Sequence, residues 1–98
     1  MRGINRVVIS GNVATDTNFH TMHDGVLACS FMLASDRHTR GDVITAFVRI
    51  NVYIDQLAKI CQQKLLKGGY VIVEGELMNR DGIHGELTEV RAREIVFV

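Results

Sequence analysis

The sequence predicts an all-β fold, a five-stranded barrel with one α-helix between the third and fourth strands. Most apolar residues recur with a period of two, and this pattern gives way once, after residue 53, to a period of about 3.6. Gly11 and Gly75 stand inside predicted strands, at points where the strands of a closed barrel must bend. The 98 residues form a single domain, 1–98, because two separate cores would need a longer chain.

The first predicted strand covers residues 4–13 and is rich in β-branched side chains. Val7 and Ile9 are expected to point toward the core. Gly11 near the end of this strand indicates a bulge or the close approach of another backbone.

The second predicted strand, residues 26–35, alternates large apolar side chains with smaller ones, and is therefore expected to be buried on at least one side. The polar segment 14–25 precedes it. This segment closes on Asp24-Gly25, a strong turn signal, and is predicted to be a hairpin loop.

The third predicted strand, residues 45–53, has two different faces. One face is aliphatic, whereas the other interleaves two aromatic rings, Phe47 and Tyr53, with the guanidinium group of Arg49. Rings beside a cation are typical of a platform on which unpaired nucleic-acid bases stack. The strand by itself fits a second core or a subunit contact equally well.

A cationic hairpin tip, residues 36–42, leads directly into this third strand. Exposed charge in a loop usually does no more than solvate the loop. Because this tip adjoins the aromatic face, we expect it to bind phosphates. Together with one residue of the fourth strand, the predicted nucleic-acid-binding residues are Arg37, His38, Arg40, Phe47, Arg49, Tyr53 and Arg80.

The change of period after residue 53 predicts one amphipathic helix that ends before a Gly-Gly pair. Asp55 is available as its N-cap. Lys59 and Lys64 are explained by the helix dipole without a nucleic-acid ligand.

Residues 70–80 and 86–98 are the last two predicted strands, joined by a short turn at 81–85. The apolar parity changes along the last strand and predicts a bulge near Arg93 and Glu94. Five strands with one helix in this position are the pattern of an OB-fold Greek-key barrel, in which the second and third strands and their loops form the usual ligand site.

Composition limits the possible functions. Eleven basic and eleven acidic side chains cancel, so any phosphate binding depends on local placement of charge. The chain has neither a bilayer-length apolar run nor the features of a secretory signal, and we expect a soluble, cytoplasmic protein without a membrane partner. Cys29 and Cys61 are expected to be small buried hydrophobic residues, and a disulfide between them is the alternative that remains open.

An enzymatic function is not expected. The segment GGYVIVEG is not a phosphate loop, because it follows a helix into a strand instead of opening a helix. His20 and His23 are the only pair with ligand-like spacing, and no suitable third ligand lies nearby. We therefore predict no catalytic residue, no cofactor and no metal.

Five segments carry a resemblance that covers nearly the whole chain: INRVVISGNVATD, the apolar strand ending in FMLAS, TAFVRINVY, QLAKICQQKLLKGGYVIVEGEL and LTEVRAREIVFV. Together they resemble the bacterial single-stranded DNA-binding protein family. The resemblance implies sequence-independent binding and protection of single-stranded DNA in replication, recombination or repair. It also implies a nucleoid-associated homo-oligomer, with a tetramer favoured over a dimer.

The chain departs from the pattern of this family in several places. Phe47 stands where the family usually carries Trp, the tip containing His38 often carries another Trp, and this sequence has no Trp. The second hairpin, usually long, is reduced to residues 81–85. We therefore expect each subunit to bind a shorter stretch of strand. The family also continues into an acidic tail that recruits replication and repair proteins, whereas this sequence ends at Val98.

The sequence leaves two alternatives open. The primosomal replication protein B branch of the same fold, an accessory of replication restart, is short, dimeric and without a tail. The other alternative is an OB-fold module that contacts only proteins, with Phe47 and Tyr53 buried between subunits. The sequence does not separate DNA from RNA as the ligand.

Overall fold

A computed structural model describes residues 1–82 and 85–98 and confirms the predicted barrel. The elements in chain order are β1 (Val7–Val13), β2 (Asn18–Thr21), β3 (Leu27–Thr39), β4 (Asp42–Val52), α1 (Asp55–Lys64), β5 (Tyr70–Gly82) and β6 (Gly85–Phe97). The helix lies between the third and fourth predicted strands, as expected. The short strand β2 lies inside the predicted loop 14–25, so the described residues form six strands where five were expected.

The strands close into a barrel because β1 pairs with two neighbours. The strand order is β1-β5-β6-β4-β3-β2, and β1 also pairs with β3 through Asn12↔Ala34 and Val13↔Leu33. The pairing of β4 with β6 is parallel, and the other pairings are antiparallel. This is the predicted OB-fold topology, with β2 as an addition beyond the edge of β3.

The core fills the barrel with alternate side chains from each strand. Phe31, Leu33 and Ile50 are among its largest fully buried members. The helix covers this core with Ala58 and Cys61, both fully buried. Cys29 and Cys61 are free and buried, in agreement with their expected role as small hydrophobic residues. A hydrogen bond with Cys61, together with burial, raises the pKa of the Cys29 thiol.

Two glycines allow strands to come close together, as the sequence indicated. A Cβ atom at Gly11 would collide with the carbonyl of Ala34, and one at Gly75 would collide with the carbonyl of Arg91. The predicted bulge near Arg93 and Glu94 is also confirmed. Glu74 pairs with Glu94 but Gly75 pairs with Ala92, so Arg93 is the extra residue on β6.

The cap of the helix differs from the prediction. Ile54 occupies the N-cap position and makes no side-chain cap hydrogen bond, whereas Asp55 is already helical. The Asp55 carboxylate instead accepts the backbone N–H of Leu27 at 2.8 Å and pairs with Lys59 Nζ at 2.8 Å. The Lys59 hydrogen bond and then the Leu27 backbone hold the pKa of Asp55 below its ordinary value. Asp55 therefore ties the helix to β3, and Lys59 serves this tie in addition to the helix dipole.

The predicted hairpin tip 36–42 is mostly strand. Strand β3 continues to Thr39 and β4 begins at Asp42, so only Arg40 and Gly41 form the turn. Gly41 has a φ of +74°, which suits glycine at such a turn. The Thr45 hydroxyl donates to Asp36 at 2.6 Å across the two strands. Pairing between β3 and β4 thus continues as a two-stranded ribbon beyond the predicted strands 26–35 and 45–53.

The strands extend into the predicted turn 81–85, because β5 continues to Gly82 and β6 begins at Gly85. Residues 83–84 of that turn lie outside the described residues. In the described part of the chain, the only helix, α1, is too short and too polar to cross a membrane.

Candidate nucleic-acid interface

The outward side chains of β2, β3, β4, β5 and β6 form a surface that we call the platform face. One of its rows crosses five strands through successive cross-strand partners, which are Asn18, Ser30, Asn51, Arg91 and Glu76. The next row contains Met32, Arg49, Glu89 and Met78, with Arg49 and Glu89 joined by an ion pair. Phe47, Tyr53 and Arg80 complete the platform face.

The two predicted aromatic residues differ in their surroundings. Phe47 is 66% exposed in the middle of β4, opposite the small side chain of Ala34. Tyr53 follows the last residue of β4 and is half-buried. The guanidinium carbon of Arg91 lies 5.7 Å from the centroid of the Tyr53 ring, within the range of a cation–π contact. One ring is therefore open to solvent, and the other is held in place by a cation.

A buried carboxylate lies at the centre of the platform face. Glu89 is 3% exposed, and its Oε1 accepts a hydrogen bond from Asn51 Nδ2 at 2.8 Å. Its Oε2 accepts hydrogen bonds from Arg80 Nε at 3.1 Å and from Arg80 Nη2 at 2.8 Å. Arg49 Nε lies 3.5 Å from the same oxygen. Two predicted phosphate-binding residues, Arg49 and Arg80, thus share one anionic partner.

The charge of Glu89 is stabilised despite its burial. Burial by itself raises the pKa of Glu89, because a buried carboxylate loses its water. Hydrogen bonds from Asn51 and Arg80 and the nearby charges of Arg80 and Arg49 outweigh burial and hold that pKa below its ordinary value of 4.5. The carboxylate is therefore ionised at neutral pH and compensates part of the positive charge beside it.

The cationic hairpin residues do not all lie on one side of their ribbon. His38 pairs with Val43 and Arg37 pairs with Ile44. Because side chains alternate along a strand, His38 lies on the side of Phe47 and Arg37 lies on the opposite side. Arg40 occupies the turn. The structure therefore brings Phe47, Arg49, Tyr53 and Arg80 to one face, extends it with His38, and separates Arg37 from it.

Sequence reasoning missed two members of the platform face, Glu89 and Arg91, and it also missed that the Asn51 side chain is buried. Glu89 and Arg91 alternate with Val90 and Ala92 on the last strand, and both of these apolar residues are buried. That alternation was a sufficient signal for their outward placement. No local pattern indicated that Asn51 would be buried, because its burial depends on Glu89 and on Met78, whose sulfur lies 3.8 Å from Asn51 Nδ2.

Within residues 1–82 and 85–98, no group of three His, Cys, Asp or Glu side chains has the arrangement of a metal site. His20 lies on β2 and His23 lies in the following turn. The platform face itself carries stacking rings and guanidinium groups.

The chain is similar in sequence to known single-stranded DNA-binding proteins. Single-stranded DNA-binding protein 2 of Chlorobaculum tepidum is 33% identical over an alignment 111 residues long, which covers 100% of this chain and 73% of that protein. The single-stranded DNA-binding protein of Xanthomonas campestris pv. campestris is 31% identical, with 96% of this chain and 60% of that protein covered. That of Neisseria meningitidis serogroup A is 30% identical, with 94% and 58% covered. The chain thus spans less than two thirds of these last two relatives.

Solved structures show the same fold. The small single-stranded DNA-binding protein from Streptomyces coelicolor superposes with a TM-score of 0.81 at 26% identity, covering 100% of this chain and 94% of that chain. The Plasmodium falciparum SSB in complex with ssDNA superposes with a TM-score of 0.89 at 22% identity, covering 100% and 97%. Residues 4–98 match the model of the single-strand binding protein family. The chain belongs to the single-strand binding protein family.

Proposed function

We propose that this chain binds single-stranded DNA without sequence preference, by stacking bases on Phe47 and Tyr53 and by placing guanidinium groups against phosphates. The exposure of Phe47 carries this proposal. An aromatic ring that is 66% exposed in the middle of a strand leaves a large apolar surface in water. A stacked base would cover this surface, and every base has a face that can do so. The names of the relatives agree with this ligand.

The cations of the proposed site have different roles. Arg49 and Arg80 lie on the platform face beside Glu89, and Arg91 lies against Tyr53. His38 and Arg40 would extend the path of the strand along the hairpin. Arg37, on the other side of the ribbon, would meet a phosphate only where the strand wraps around the hairpin. Since the net charge of the chain is zero, binding depends on this local cluster of cations.

A salt titration tests the proposed function. The chain has no Trp, so binding is best followed by the fluorescence anisotropy of an end-labelled oligo(dT). With about three cations on phosphates, the log–log dependence of affinity on salt should have a slope of about −2. A mixed-sequence single strand should bind within a few-fold of oligo(dT), and a duplex of equal length should bind far more weakly. Absence of oligo(dT) binding at low salt would contradict the proposal.

The outer face of β1, β5 and β6 supports assembly with further copies of the chain. Val8, Ile72 and Val96 are exposed there, and we call them the apolar strip. Ile72 pairs with Val96 and with Ser10, which follows Val8 by two residues on β1. Val8 is therefore diagonal to Ile72, with Glu74 as its direct partner. Neighbouring exposed aliphatic groups of this kind are typical of protein contacts. We propose a homo-oligomer that buries the apolar strip, with a tetramer favoured over a dimer.

Light scattering with and without oligo(dT) tests the oligomer and its stoichiometry together. Val96→Glu should lower the mass of the particle, because it places a charge in the buried contact. Leu66→Glu is the matched control, since Leu66 is 72% exposed in the loop after α1 and lies outside both faces. A monomeric wild type, or an unchanged mass for Val96→Glu, would contradict the role of the apolar strip.

The biological role follows from the proposed ligand. A protein that coats single strands without reading their sequence protects DNA while it is unwound in replication, recombination or repair. This role places the chain with the nucleoid in the cytoplasm. A protein-only OB-fold module, in contrast, would leave oligo(dT) unbound in the salt titration.

A further inference from the structure

Glu89 is an unexpected residue in a surface that is proposed to bind a polyanion. A carboxylate there repels phosphates, and its burial also removes its water. The platform face nevertheless places it between two arginines at 3% exposure. Arg49 and Arg80 could be hydrated at this surface without an acidic neighbour. The position of Glu89 between them therefore needs a separate explanation.

These contacts hold both arginines, Arg80 by two hydrogen bonds to Glu89 and Arg49 by an ion pair with Glu89 and a hydrogen bond to Ser30. Arg80 uses Nε and Nη2 on Glu89 Oε2, and the described residues provide no hydrogen-bond partner for its Nη1. Arg49 places Nε near that oxygen and donates from Nη1 to the Ser30 hydroxyl at 3.3 Å, and its Nη2 has no such partner among the described residues. Each guanidinium is thus held by some of its N–H groups and presents the others outward.

The arginine side chains remain accessible in this arrangement. The side chains of Arg80 and Arg49 are 48% and 35% exposed, whereas that of Glu89 is 4% exposed. The carboxylate is the most buried of the three charged groups, and both cations lie close to its Oε2. A phosphate that approaches from solvent therefore meets the guanidinium groups before it meets the carboxylate.

We propose that Glu89 is a positioning residue of the nucleic-acid interface, which holds Arg49 and Arg80 as a fixed pair whose free N–H groups bind the phosphates of a single strand. This inference rests on the proposed function. Free arginine side chains lose much rotamer freedom when they bind, and a pair that is already ordered loses less. Glu89 would lower this cost at the expense of part of the positive charge.

The more exposed pair formed by Glu76 and Arg91 provides a matched comparison. It lies on the same face and is joined at 3.5 Å, the distance that also separates Arg49 from Glu89, but the Glu76 side chain is 34% exposed whereas that of Glu89 is 4% exposed. Such a pair holds its arginine weakly. Loss of the Glu76 charge should act on DNA binding only through electrostatics, whereas loss of the Glu89 charge should also release two arginines.

Charge removal at the two positions tests the proposal by oligo(dT) anisotropy. Glu76→Gln removes a negative charge and should tighten binding by up to about fivefold. Glu89→Gln removes the same charge but should weaken binding by about tenfold and make the salt slope less negative by about 1. Equal tightening in both variants would overturn the positioning role and leave the proposed function intact. Absence of binding by the wild type would instead remove the proposed function.

Glu89→Asp separates position from charge. It keeps the net charge but withdraws the carboxylate by one methylene group, so the two arginines lose their common partner. Binding should weaken as in Glu89→Gln, whereas a purely electrostatic role predicts no change. Wild-type affinity in folded Glu89→Asp would overturn the proposal.

Nuclear magnetic resonance of the wild-type protein covers the case in which the Glu89 variants do not fold. The Nε–H signals of Arg49 and Arg80 should be sharp and slow to exchange in the free protein, and should shift when oligo(dT) is added. Broad signals in the free protein, or signals that oligo(dT) leaves unmoved while Phe47 responds, would overturn the proposal.

Discussion

The outward faces of β5 and β6 carry two different surfaces on either side of one bulge. On the β1 side of Gly75 and Arg93, the outward residues include Ile72 and Val96, which are exposed and aliphatic. On the β4 side, they include Glu89 and Arg91, which belong to the platform face. The same two strands thus contribute aliphatic groups to one surface and charged groups to the other.

This difference shows how the neighbours of an exposed apolar group indicate what will cover it. The apolar strip joins Ile72 to its partner Val96 and to Val8 on the diagonal, with ion pairs from Arg6 and Arg93 to Glu74 beside it. Phe47 lies, like Tyr53, on a face that carries guanidinium groups. The first arrangement suits another protein surface, and the second suits a base with its phosphate. The bulge at Gly75 and Arg93 marks the boundary between the two surfaces.

Substitution of Gly75, at this bulge, should have the largest effect on stability. In Gly75→Ala, the new Cβ would lie 2.8 Å from the Arg91 carbonyl carbon and 3.0 Å from Ala92 Cα, and backbone atoms cannot move aside. We expect a loss of about 3 kcal/mol or more in the free energy of unfolding, measured by urea denaturation.

Gly3→Ala is the control for that change, because nothing lies within 4 Å of a Cβ at Gly3. Its stability should equal that of the wild type. If Gly75→Ala were as stable as Gly3→Ala, the fold would not require the close approach of the two backbones at the bulge.

Acidification should affect the platform face more than the apolar strip. The folded pKa of Glu89 lies below that of the unfolded chain, so its stabilisation is complete above pH 4.5 and is lost as the pH falls through the folded pKa. We expect part of the unfolding free energy to disappear in this range, because protonation removes the charge that Asn51, Arg80 and Arg49 stabilise.

Glu89→Gln is the control for the acid profile, because its side chain has no ionisable group at this position. Its unfolding free energy should fall less steeply below pH 4.5 than that of the wild type. Parallel acid profiles for the two proteins would show that the network around Glu89 adds no pH-dependent stability.

The two tyrosines offer a smaller test, because one lies on each surface. Tyr53 is held by Arg91 on the platform face, whereas Tyr70 donates to the Ser10 hydroxyl at 2.9 Å on the β1 side. Tyr53→Ala should weaken oligo(dT) binding by about 1 kcal/mol, the lower end of the range for a stacked base. Tyr70→Ala should leave the affinity of the folded protein unchanged. Equal losses in both variants would contradict the division into two surfaces.

The sequence predicted the parts of the fold that local periodicity determines. The barrel, the helix and the bulge follow from apolar periods and from a change of parity between Ala92 and Ile95. Strand β2 was missed because its four residues are all exposed and carry no alternating apolar pattern. The extended ribbon was missed for a similar reason, since pairing with Val43 and Ile44 keeps polar residues such as Arg37 in strand form.

The site was predictable only as far as one strand defines it. Alternation along β4 places Phe47 and Arg49 on one face, and the structure agrees. The partners of Arg49 could not be predicted in this way. Glu89 lies 40 positions further along the chain and reaches Arg49 only because β4 and β6 pair in parallel. Contacts of that kind depend on the order of strands in the sheet, which side-chain periodicity does not contain.

The affinity of Phe47→Ala for oligo(dT) tests the account most directly. Phe47→Ala should retain the thermal stability of the wild type and lose about 1–3 kcal/mol of binding free energy, the contribution of one stacked base. Leu66→Ala, which removes an apolar group of similar exposure away from the platform face, should bind like the wild type. Wild-type affinity in folded Phe47→Ala would contradict the claim that this face binds single-stranded DNA by stacking.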